Sequence, residues 1–263
     1  MKSEARFLVD VGMKGLPLPI RVASRVQPEG QQTVAEISVS ARIMQQFEAG
    51  WIDRFIQVLH EHRNRIGTTT LCTNIKDYMQ RLNAKTVRVD FEYPFFIEKN
   101  TPVSKEKCLV RYRCTYSAQS SRLESDGSVI FAIQVPAITT YPVSGDLTPA
   151  GLFGQLSLVT VEVKTHNDIF PEDLVELVDR HALMPVFSFL TQEDQQLVIQ
   201  KIHSDRKTSV VMTDEIKDEL RSRPGIESYT VRCANFGMLH SYSTFLGTEK
   251  SMWVPFSGAD EDV

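Results

Sequence analysis

One plan used twice limits what this 263-residue chain can fold into: strand, strand, helix, helix, strand, strand, and then the same again. In the first half, Ala35, Ile37, Val39 and Ala41 alternate with Glu36, Ser38, Ser40 and Arg42, the pattern of a half-buried strand. From Ile52 the period lengthens, and Ile52, Phe55, Ile56 and Leu59 fall on one helical face. "HEHRNR" closes that helix with cations in its last turns, where they suit the dipole. A second helix is expected over "NIKDYMQRLNA", followed by strands "TVRVDFEYPFF" and "CLVRYRCTYSA". In the latter, Val110, Tyr112, Cys114 and Tyr116 share a face. The polar segment "QSSRLESDGS" contains an Asp-Gly turn signal and marks the boundary between modules 1–122 and 123–263.

The second half repeats the order with a third helical segment added. "SVIFAIQVPAITT" and "LSLVTVEVKT" read as strands, with Val159, Val161 and Val163 alternating in the latter. Pro171 followed by Glu172 and Asp173 is a helix start, because proline fits the first turn and acids suit the dipole. Helical segments run through "EDLVELVDRHAL", "QEDQQLVIQKIHS" and "TDEIKDELRSR", and "IESYTVRCANFGML" and "YSTFLGT" supply closing strands. The expected class is α+β, with antiparallel sheets carrying helices on one face. Each half leaves sheet edges open, so edge pairing within and between copies predicts a closed homo-oligomer, a dimer or tetramer.

Composition excludes several functions. A net charge of −4 gives no electrostatic reason to expect nucleic acid as a partner. No apolar run approaches the ~20 residues of a bilayer span, and "MKSEARFLVDVG" lacks a signal peptide's apolar stretch. A cytoplasmic location is therefore expected, without a membrane partner. Cys72, Cys108, Cys114 and Cys233 form no C-x-x-C pair, so neither a disulfide framework nor a cysteine zinc site is expected.

Four stretches carry a family likeness: "DVGMKGLPLPI", "AGWIDRF", "FEYPFFIEKNTPVS" and "ANFGMLHSYS". With the duplicated plan, they resemble the type IB GTP cyclohydrolases, the FolE2-like branch of the tunnelling (T-fold) superfamily. The likeness implies a tandem, bimodular T-fold assembling into a barrel-like oligomer, with active sites in clefts between subunits. It also implies hydrolysis of GTP to dihydroneopterin triphosphate with one divalent metal, usually zinc. The family's metal loop corresponds to "TTYPVSGDLTPAGLFGQ". There the two cysteine positions hold Tyr141 and Val143, and the ligand histidine position holds Phe153. The family's T-H-M-S-R-F places Trp51 where it has histidine, and F-E-S-I-H-N-H keeps only His240, with Tyr242 at its second histidine. A glutamate able to reach the metal becomes Gln195. The glutamate that grips the purine falls near Val210, with Asp214 and Glu215 a small shift away.

These side chains are poor zinc ligands: a phenol ionises near ~10, phenyl has no lone pair, and a neutral amide binds weakly. The expectation is therefore a protein that is not a GTP cyclohydrolase. It would be a metal-independent, cofactor-free enzyme of specialised-metabolite biosynthesis, acting by cyclisation, condensation or isomerisation on a planar or acyl small-molecule substrate. His240 would be the acid/base and Tyr141 and Tyr242 the donors. Trp51, Arg54, Ser144, Asp146, Phe153 and Gln155 would bind substrate. Two alternatives stand beside it: a non-catalytic binding or scaffold protein, with Trp51 and Phe153 filling a dead cavity, and a residual GTP cyclohydrolase.

Overall fold

In the computed structural model, residues 9–43, 50–122, 127–141, 153–237 and 241–250 are described. The chain order is β1 (Val9–Val22), β2 (Gln31–Ile43), α1 (Gly50–His62), α2 (Thr68–Arg81), β3 (Ala84–Asn100) and β4 (Lys107–Ser121). There follow β5 (Ser128–Thr140), β6 (Gly154–Thr165), α3 (Pro171–His181), β7 (Met184–Pro185), α4 (Gln192–Ser204), α5 (Ser209–Ser222), β8 (Ile226–Phe236) and β9 (Thr244–Lys250). One antiparallel sheet runs β1-β2-β3-β4-β5-β6-β8-β9, with the two-residue β7 on β5. Pairing of β4 with β5, from Arg113↔Gln134 to Gln119↔Ser128, carries the sheet from one half into the other.

Alternation fixes which face the helices cover. Val129, Phe131, Ile133, Val135 and Ala137 of β5 point into the core, as do Val159, Val161 and Val163 of β6. The same buried core takes in Phe55, Val58 and Leu59 of α1, Leu71, Ile75 and Tyr78 of α2, Leu174 and Val178 of α3, and Met212 and Ile216 of α5. The opposite face is polar, with Arg88, Glu92, Arg113, Glu162 and Arg232 lining a groove of about 460 Å³. Its charges are paired locally: Arg113 with Glu92 at 2.6 Å, Arg88 with Asp90 at 3.0 Å, and Arg232 with Glu162.

β1 was legible only as a motif, because Pro17 and Pro19 interrupt a strand pattern. The structure makes it the sheet's edge, where a missing N–H is tolerated. Pro17 faces Glu36 and Pro19 faces Val34. Its register shifts between Met13 and Leu16, where Gly15 takes a φ of 69° that side-chain-bearing residues rarely adopt.

The helices of the second half are bolted to the first. Ser24 donates to the buried Glu172, and Arg25 pairs with Asp173 at 2.7 Å and with Glu176. Thr69 gives its N–H and hydroxyl to Asp168 at 3.0 and 2.7 Å. The ammonium of Lys99 on β3 meets Asp179 on α3 in a largely buried pair. Asp194 of α4 is fully buried and holds the β3–β4 turn by accepting from Val103 N, Ser104 N and Ser104 Oγ.

Candidate active site

The ends of β5 and β8 and the start of β6 meet at one end of the sheet, and there the core-facing positions change character. After Ala137 comes Thr139; before Val159 come Ser157 and Gln155; after Cys233 comes Asn235. All four polar residues are buried. The register that sets Thr139 beside Gln155 and Ser157 beside Asn235 brings them together.

Their hydrogen bonds form one directed chain. Gln155 Nε2 donates to Thr139 Oγ1 at 3.1 Å, Thr139 and Ser157 share a 2.8 Å contact, and Ser157 Oγ donates to Asn235 Oδ1 at 2.7 Å. A hydroxyl has one proton. Ser157 spends its proton on Asn235, so it accepts from Thr139, and Thr139 in turn accepts from Gln155. Cys233 Sγ adds a second donor to Asn235 Oδ1 at 3.5 Å. Burial pushes that thiol up to about 11, against the opposing effect of Ser157, so it keeps its proton at neutral pH.

Beside this cluster the chain leaves β5 at Tyr141, whose N–H donates to Phe153 O at 2.7 Å. Gly237, just past β8, lies under the Tyr141 ring, where an added Cβ would sit 3.7 Å from it. Tyr141, Phe153 and Gln155 are therefore brought together, and Tyr242 is exposed after β8. Ser144, Asp146, Val143 and His240 lie outside the described residues. Thr140 N donates to Lys207 O at 2.8 Å, tying this end to the start of α5. The hydroxyls of Thr140 and Thr213 are buried without a hydrogen-bond partner.

The other predicted residues stand elsewhere in the chain. Trp51 and Arg54 are on α1; Trp51 is buried and stacked on Phe55 at 6.1 Å, and Arg54 Nε donates to Gly50 O at 3.1 Å. Gln195 is exposed on α4, with Nε2 donating to Leu190 O at 3.1 Å. Val210 is exposed, Asp214 pairs with Lys217 at 2.9 Å, and Glu215 bonds His181 at 3.1 Å and Lys207. Burial opposes ionisation of Glu215, but Lys207 and His181 outweigh it and hold its carboxyl below the usual range.

A divalent metal would need thiolate, imidazole or carboxylate around an open position. Tyr141, Phe153, Trp51 and Gln195 do not fit that requirement. Among the described residues, Glu61, His62 and Asp77 alone form a ligand-like trio, at the α1–α2 junction. Arg81 already occupies it, 3.0 Å from Glu61 and 3.7 Å from Asp77.

Residues 2–245 match the family model described as type I GTP cyclohydrolase folE2. The chain belongs to this family. It is 30% identical to the GTP cyclohydrolase FolE2 of Citrifermentans bemidjiense over 241 residues, covering 92% of this chain and 89% of that one. It is 29% identical, with the same coverage, to that of Geobacter sp. strain M21. Among solved structures it resembles urate oxidase from Bacillus sp. TB-90 (TM-score 0.57, 9% identity, 93% and 100% covered). A uricase from Bacillus fastidious matches with a TM-score of 0.55 at 10% identity, with 94% of each chain covered. These two likenesses show the fold, an α+β T-fold.

The expectation of an enzyme that is not a GTP cyclohydrolase is corrected by these relatives. It rested on the substituted ligand positions Tyr141, Val143, Phe153, Trp51, Tyr242 and Gln195, and it weighed them above a likeness spanning almost the whole FolE2-family chain. Sequence reasoning also missed Thr139, Ser157 and Asn235. Their signal was present as simultaneous breaks in three apolar alternations. No helix among the described residues is long and apolar enough to cross a membrane.

Proposed function

We propose that this FolE2-family protein acts on GTP, in clefts formed between copies of the chain. What supports the reading is the family match from residue 2 to 245 together with relatives named GTP cyclohydrolase FolE2. In this reading, modules 1–122 and 123–263 pair their sheet edges with those of other copies in a dimer or tetramer. Trp51 and Arg54 of one copy then stand across from Tyr141, Phe153 and Gln155 of another. His240, Tyr141 and Tyr242 are the candidates for proton transfer, and Ser144 and Asp146 for substrate contacts. Among the described residues, the side chains at this end of the sheet do not make a metal set.

A second reading, a GTP-binding T-fold protein without turnover, is favoured by the aromatic and amide residues at the family's ligand positions. One experiment separates them. The purified protein is incubated with GTP, with and without added divalent metals, and products are analysed as oxidised neopterin by chromatography. Neopterin formation is the expected result. A GTP-dependent rise in melting temperature without product establishes the second reading, since a binder of the native state stabilises it by mass action. Neither product nor shift overturns both.

A further inference from the structure

The directed chain at the end of β5, β6 and β8 has an origin and a terminus. It begins at one N–H of the Gln155 amide and ends at Asn235 Oδ1. A glutamine amide can turn over to exchange its oxygen and nitrogen at little intrinsic cost, so what fixes it is its partners. If Gln155 turned its oxygen to Thr139, Thr139 would have to donate outward. Ser157 would then face both Thr139 and Asn235 Oδ1 with a single proton, and one short oxygen–oxygen contact would hold none. Asn235 would have to turn as well, which would replace the oxygen that receives the Cys233 thiol with an NH2 group. Two amides and two hydroxyls therefore turn together or not at all.

We propose that Ser157 and Asn235 are positioning residues that lock the Gln155 amide in one orientation. The locked amide then presents its oxygen beside its second N–H, in fixed order, to the N–H/C=O edge of a lactam base. Gln155 is thereby a specificity-determining residue. The inference rests on the GTP reading, and it deepens it by naming what distinguishes guanine from adenine. Guanine offers a ring N–H beside a carbonyl; adenine offers an acceptor nitrogen beside an amino group, the reverse order. A freely turning glutamine serves both, but a locked one serves only the first in a given pose. A site whose buried polar groups are left unpaired by the wrong ligand rejects it strongly.

The test uses the full-length protein and its Ser157→Ala and Asn235→Ala variants, with binding of GTP, ITP and ATP measured by calorimetry. The wild type is expected to bind GTP and ITP at least tenfold more tightly than ATP. Ser157→Ala is expected to reduce that ratio about tenfold, with ATP gaining relative to GTP; a folded variant with an unchanged ratio overturns the lock. A change in stability alone would weaken all three nucleotides equally. If the wild type binds no purine nucleotide, the GTP reading fails, and the lock is judged by nuclear magnetic resonance. The Gln155 side-chain NH2 pair should be widely split and slow to exchange in the wild type, and should collapse in Ser157→Ala. A wild-type pair resembling that of an exposed glutamine overturns it.

Discussion

Replacing Asp194 with alanine is expected to lower the melting temperature by on the order of 10 °C, a loss far above that of an ordinary surface substitution. Its carboxylate accepts five bonds: Val103 N at 2.8 Å, Ser104 N at 3.0 Å, Ser104 Oγ at 2.7 Å, Thr191 N at 3.0 Å and Thr191 Oγ1 at 2.7 Å. Alanine leaves two N–H groups of the β3–β4 turn and the N-cap of α4 without that acceptor. Asparagine should do little better, because its NH2 would face donors. Burial works against the charge, but the bonds from Thr191, Ser104 and Val103 outweigh it and hold the carboxyl well below its ordinary 3.8. A depressed carboxyl contributes stability that is complete above its unfolded value and fades as pH falls through the folded one. Thermal melts followed by circular dichroism should therefore show a constant gap between wild type and Asp194→Ala from pH 8 to about 5. The gap should close in stronger acid. A gap that instead widens there would refute this account.

Lys99→Ala is expected to cost about 3–5 kcal/mol, because it strands a buried carboxylate. Lys99 and Asp179 retain 11% and 18% side-chain exposure, and Asp179 Oδ1 has no hydrogen-bond partner even with the lysine present. The ammonium also lies over the Tyr112 ring, 5.3 Å from its centroid. Burial raises the Asp179 pKa and Lys99 works in the other direction. Removing the lysine raises it further, so the variant's deficit should be largest at neutral pH and shrink as acid neutralises Asp179. In denaturant titrations the double variant Lys99→Met, Asp179→Leu should recover most of the loss, since a buried ion pair exceeds a hydrophobic pair little or not at all. If Lys99→Ala costs less than about 0.5 kcal/mol, the size of a typical surface change, the pair does not join the halves.

Both predictions turn on contacts that no reading of the sequence could place, Lys99 with Asp179 and Asp194 with the β3–β4 turn, which join residues 80 to 91 positions apart; the Thr191 cap of Asp194 is local. Local pattern, by contrast, was legible. The alternation in β2, β4 and β6 and the Pro171-Glu172-Asp173 start of α3 all appear where the sequence puts them. α2 begins at Thr68, ahead of the expected "NIKDYMQRLNA", because the threonines at 68, 69 and 70 have weak helix propensity and Gly67 offers no side-chain cap. Asp168, almost a hundred residues on, supplies the missing acceptor at Thr69. α5 likewise starts at Ser209, capped by Thr208, ahead of "TDEIKDELRSR". At the candidate site, Tyr141, Phe153 and Gln155 were found in one loop, but Thr139, Ser157 and Asn235 each look like ordinary strand polarity until register stacks them. Trp51 is buried, which is compatible both with a filled cavity and with a wall that a second copy completes.

The prolines of β1 have a further effect. Pro17 and Pro19 stand two residues apart on the outermost strand, so both lack an N–H on the same side of its backbone. Any strand from another molecule that aligns there finds two successive rungs missing. Open-ended fibril-like stacking is thereby discouraged, and the association that survives is one whose partner gains enough elsewhere to do without those rungs.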